Sequence, residues 1–94
     1  MQRDRFDEAH KYLKRATELS PEDPLILRHY GVLIMEEGRF DEAHEVWMTA
    51  YSLDQDEPET IFYLAEVHAH LGLLKDAKLN AEKYMTLDPN GVFG

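Results

Sequence analysis

Apolar residues recur along this chain at three- and four-residue spacing and never in a sustained alternation. Leu27, Tyr30, Gly31 and Ile34 make one such stripe; Ala43, Trp47, Ala50 and Leu53 make another. That spacing gathers side chains on one face of an α-helix, whereas a half-buried strand would alternate. The punctuation agrees. Asp23-Pro24 reads as a helix start, because an aspartate side chain accepts from the first free amide hydrogens and proline is tolerated at the first helical position. Gly38 reads as a stop, supplying the left-handed conformation favoured just past a helix end. Asp56-Glu57-Pro58 then restarts the cycle. The chain is therefore expected to form helices at about Phe6–Leu19, from Pro24 to near Gly38, and at about Asp41–Leu53, Glu59–Leu71 and Lys75–Leu87. The fold class expected is all-α, with five helices.

The stripes are copies of one another. Arg5-Phe6-Asp7-Glu8-Ala9-His10 recurs letter for letter as Arg39-Phe40-Asp41-Glu42-Ala43-His44, 34 residues on. The same offset joins Leu19, Leu53 and Leu87, and it joins Gly38 to Gly72, Ala43 to Ala77 and Pro24 to Pro58; Pro89 lies two such steps from Pro21. A helix pair repeating at this period marks a stacked helical array.

On these residues the sequence resembles the tetratricopeptide repeat family over nearly its whole length. The middle unit supplies Leu27, Tyr30-Gly31 and Ile34, then Gly38, Phe40, Ala43, Trp47 and Ala50. The third supplies Ile61, Leu64-Ala65 and His68, then Gly72, Leu74, Ala77 and Pro89; the opening half-unit supplies Phe6, Ala9, Leu13, Ala16 and Pro21. Small residues such as Gly31 and Ala65 let a bulky side chain of a neighbouring helix approach. Three positions depart from the family pattern. Gln55 stands for a proline, His68 for a large apolar or tyrosine residue, and Ala81 with Tyr84 shifts the bulk of the last helix by three residues.

The resemblance implies an α-solenoid of antiparallel helix pairs, with a half repeat at 1–23, repeats at 24–57 and 58–91, and a short tail at 92–94. It also implies that the first helix of each pair lines an inner groove for a partner. That groove would be built from Leu25, Arg28, Val32, Met35 and Glu36, then Glu59, Phe62, Glu66 and His70. None of these is required by the repeat's own packing, which leaves them for recognition. Val32, Met35 and Phe62 offer apolar pockets, and Glu36, Glu59 and Glu66 add negative charge. A protein or peptide segment with an apolar anchor and a Lys or Arg complements such a surface. Relatives that clamp the carboxylate tails of heat-shock chaperones use Lys, Arg and Asn there; only Arg28 is basic here, so that role is not expected.

Two complete helix pairs and one orphan helix fall short of the three or so units that such arrays usually need for independent stability. The orphan helix is expected to expose Phe6, Ala9 and Leu13 where a partner is missing. Two readings follow: a segment of a longer array, or a homo-oligomer that buries its open ends by self-association.

Charge narrows the partners. Asp+Glu number 19 against 10 Lys+Arg, a net charge of −9, which repels nucleic acid and anionic membranes over most of the surface. With no cysteine there is no disulfide or thiolate chemistry. The first residues hold no apolar stretch of signal-peptide type, and a cytoplasmic setting is expected. Catalysis finds no foothold: there is no Gly-rich phosphate loop, and Glu36-Glu37 and Asp41-Glu42 read as solvated surface. No cofactor or metal is expected either. His68 and His70 point roughly 200° apart on a helix, while His10 and His44 read as repeated surface residues. Asp54-Gln55-Asp56 lacks the Gly and closing Glu of a calcium loop and reads as a turn with helix-capping acids. Trp47 and Phe40 read as core, with Tyr51 less determined. The function expected is a protein-interaction scaffold; the alternatives are a self-association module or a regulatory segment of a longer array.

Overall fold

The computed structural model describes the backbone of residues 2–88 and the side chains of residues 7–88. It contains five helices and, among the described residues, no strand: α1 (Gln2–Leu19), α2 (Pro24–Glu36), α3 (Phe40–Leu53), α4 (Pro58–His70) and α5 (Leu74–Leu87). Ends expected from sequence are met within one residue, except that α1 starts at Gln2 rather than near Phe6. The Phe6 side chain, Pro89 and residues 90–94 lie outside the described residues. No helix is long and apolar enough to cross a membrane among the residues described.

The two kinds of helix start differ for a chemical reason. Asp23 caps α2, its carboxylate accepting from the amides of Leu25 at 3.0 Å and Ile26 at 3.4 Å. Glu57 caps α4 through the amide of Glu59 at 3.3 Å. Proline follows each cap, pre-set for the first turn. Helices α3 and α5 have no side-chain cap; each emerges from a three-residue turn whose glycine has φ near 78°. At the first turn the amides of Gly38 and Arg39 bond back to the carbonyls of Met35 and Ile34. The second repeats this from Gly72 and Leu73 to Ala69 and His68. These paired bonds satisfy the last carbonyls of α2 and α4 and fold each helix back on its predecessor.

Each helix packs on its neighbour in the chain, and α2 also meets α4. The core runs through the middle of the stack, from Leu27, Tyr30 and Ile34 through Ala43, Trp47 and Ala50 to Leu64 and Val67. Trp47 is its centre, fully buried and lying directly over Gly31.

Two expectations about packing need correction. Leu53 is 39% exposed rather than part of the core face. It is the last residue of α3, where the chain turns away, so the buried stripe ends one turn earlier at Ala50. Leu19 and Leu87, its repeat equivalents, are exposed as well. On α1, Leu13 packs against the core and Ala9 is only half exposed, because α2 covers that face. Among the described residues, the large apolar side chains that α1 does present are Tyr12 and Leu19.

Candidate functional site

Leu25, Arg28, His29 and Val32 of α2 and Glu59 and Tyr63 of α4 surround a recess of about 290 Å³. Leu25 is half exposed at its mouth. Arg28 Nε lies 3.5 Å from Glu59 Oε2, close enough for Coulomb attraction, yet it is buried and has no hydrogen-bond partner. Such an atom is costly to leave unsatisfied. The wall behind it is stiff. The Tyr63 ring stacks on Trp47 with centroids 5.0 Å apart and planes 17° from parallel. Burial pushes the Tyr63 hydroxyl above its ordinary range, and the carboxylates of Glu59, Glu66 and Glu36 push it further. Glu59 at the recess and the neighbouring acids give this face a negative character, which disfavours an anion and favours a cation.

The nine residues expected to line the groove divide. Leu25, Arg28, Val32 and Glu59 meet around the recess. Glu36 stays exposed and adds charge. Met35 turns inward, its Sδ accepting from the Trp47 indole N–H at 3.2 Å. His70 stacks on Phe40 with centroids 4.0 Å apart. The Phe62 ring lies 5.3 Å from that of Tyr63 and 5.2 Å from that of Tyr84 on α5; with Glu66 it lines a second recess, between α4 and α5. The expectation that all nine side chains escape packing thus fails for Val32, Met35 and Phe62, whereas His70 stays exposed with one face of its ring on Phe40. A helix flanked on two sides keeps a narrower open stripe than a repeat pattern implies. His29 and Tyr63 went unnoticed in the sequence. The signal was there: His29 follows Leu25 by four residues, and Tyr63 lies between Glu59 and Glu66 at four- and three-residue spacing, on the same helical faces.

The histidines of the repeated hexapeptide are not the surface residues they were expected to be. His10 Nε2 is 3.0 Å from the Tyr30 hydroxyl, which donates to Glu42 at 3.0 Å. Burial and that carboxylate raise the Tyr30 pKa to about 12. His44 Nε2 lies 3.1 Å from His68 Nε2, and His68 Nδ1 is 2.9 Å from the Asn80 amide, which ties α3, α4 and α5 together. Among the described residues no group of three or more His, Asp or Glu side chains is placed to hold a metal ion.

The His68 pair makes stability depend on pH. Burial lowers the His68 pKa first, His44 lowers it further, and Asp76 opposes both. A lowered folded pKa means that the unfolded chain takes up the proton more readily. The contribution of neutral His68 is then complete above its ordinary value of 6.5 and is lost as the pH falls below it. Urea midpoints should drop between pH 7.5 and pH 5.5, and His68→Gln, which cannot be protonated, should flatten that drop. A slope unchanged in His68→Gln would assign the acid sensitivity elsewhere.

Comparison with known proteins gives a consistent answer. A family model described as tetratricopeptide repeat matches residues 1–49. The TPR repeat-containing protein YvcD of Bacillus subtilis is 34% identical over 86 residues, which is 90% of this chain but 18% of YvcD. MamA (AMB-1) superposes with a TM-score of 0.85 at 25% identity, over 97% of this chain and 50% of MamA. The Yersinia enterocolitica secretion chaperone SycD, solved in complex with a peptide of the translocator YopD, superposes with a TM-score of 0.83 at 24% identity, over 95% of this chain and 68% of SycD.

Proposed function

The chain belongs to the tetratricopeptide repeat family, and from that premise we propose that it is a protein-interaction scaffold without catalytic chemistry of its own, which binds a peptide or helix of a partner across the face shared by α2 and α4. The observation that carries this reading is the recess itself, where Leu25 and Val32 of α2 stand beside Glu59 and Tyr63 of α4 and the buried Arg28 Nε has no acceptor. The bound segment is expected to set an apolar anchor against Leu25 and Val32 and a Lys or Arg toward the carboxylates. A backbone carbonyl of that segment would supply the acceptor that Arg28 Nε lacks. SycD, which shares this fold, is solved with a peptide of the translocator YopD, and that supports a peptide as the class of partner. The repeat units engaged are those at 24–57 and 58–91, and their alignment side by side is what would place α2 next to α4.

Peptides selected from a random library against this chain would test the proposal. Selected sequences should carry an apolar residue beside a basic one. Affinity should fall at least tenfold in Leu25→Asp and Glu59→Lys, and it should weaken with salt because part of the attraction is Coulombic. Both residues lie outside the core, so helical circular dichroism should stay near wild type. Ligands that bind equally well to the double variant would place recognition on another face.

A further inference from the structure

We propose that this chain self-associates head to tail, the exposed face of α1 in one copy, centred on Tyr12, seating in the recess between α4 and α5 of the next. That recess measures about 450 Å³; its walls are Phe62, Ala65 and Ala69 of α4 with Ala77, Ala81 and Met85 of α5. A shift of 34 residues carries Gly31 to Ala65, Ala43 to Ala77 and Trp47 to Ala81. The recess is thus the counterpart of the α2–α3 surface on which α4 lies, so a helix is the object that fits it. One change decides which helix. Trp47 supplies the bulk at the inner surface, while at the outer one Ala81 is small and the bulk stands one turn later at Tyr84, so a recess remains that a large side chain of the incoming helix can enter.

At the opposite end of the molecule, α1 offers one. Tyr12 is 74% exposed and Leu19 is 71% exposed, seven residues apart on one helical face. Charge enters through single pairs, since α1 as a whole carries five basic residues against four acidic ones. Arg15 follows Tyr12 by three residues on the same side, and Glu66 stands on the lip of the recess; Lys78 on the other lip is complemented by Glu8, one turn before Tyr12. The two surfaces differ, so the contact is heterologous and leads to chains or rings rather than a closed dimer.

Sedimentation velocity across micromolar concentrations tests this with the 94-residue chain. The wild type should grow beyond the dimer as concentration rises. Tyr12→Asp and Ala81→Glu alter exposed helical positions and should leave the thermal midpoint near wild type, yet each should weaken association at least tenfold. Mixed together, they should form one 1:1 dimer that grows no further, because a single intact contact survives: the recess of the Tyr12→Asp copy with α1 of the Ala81→Glu copy. Arg15→Glu and Glu66→Lys should each weaken assembly, and combining them should restore it. The proposal is overturned by a wild type that stays monomeric throughout, by association that ignores Ala81→Glu, or by a mixture that remains two monomers. A wild-type chain that stays monomeric while an unrelated amphipathic helix binds the recess would also overturn it, assigning the site to a different partner.

Discussion

Trp47→Ala is expected to lower stability by about 3–5 kcal/mol, enough to leave a chain of this size largely unfolded near room temperature. The indole is fully buried, stacks on Tyr63 of α4 and donates to the Met35 thioether of α2. Removing it empties a volume that α2, α3 and α4 line together, and such cavities close only in part. A small domain has little margin to absorb that. Thermal unfolding followed by circular dichroism should show the midpoint falling by roughly 15 °C or more. Leu79→Ala, at a position 64% exposed, serves as the control and should stay within about 0.5 kcal/mol of wild type. Similar shifts in the two variants would mean that Trp47 does not hold the stack together.

Gly31→Leu should be nearly as damaging, at about 3 kcal/mol, for the opposite reason. A Cβ built on Gly31 would lie 2.5 Å from Trp47 Cε2, closer than such atoms approach. Gly31 is therefore the space into which the indole fits, and a leucine there must displace a side chain that has nowhere to go. Gly31→Ala separates this clash from helix propensity. Alanine favours a helix over glycine by about 1 kcal/mol, so a loss of stability in Gly31→Ala can come only from overpacking. Combining Gly31→Ala with Trp47→Phe should cost less than the two single changes together, because the smaller ring makes room for the methyl group. Strict additivity, or a midpoint raised by Gly31→Ala, would contradict the contact.

Fold and repeat period were legible because they depend on local rules repeated along the chain. Aspartate before proline caps a helix, glycine past its end permits a positive φ, and apolar residues at three- and four-residue spacing choose the buried face. Two copies of a hexapeptide 34 residues apart then announce the stacking without reference to any contact. Side-chain partners across helices obey no such local rule. Nothing in the spacing of His44 and His68 says that their rings meet, and nothing in Met35 says that it turns inward to Trp47. Met35 and Val32 look alike on a helical wheel, but only one lies beneath an indole N–H. Likewise Tyr63 could be placed between two glutamates by counting along α4, whereas its contact with Trp47 depends on how α3 and α4 cross. The sequence by itself determined the helices, their order and the acidic character of the chain. The tertiary structure alone decided which side chains stay open, because openness is set by the neighbour across the interface rather than by position along the helix.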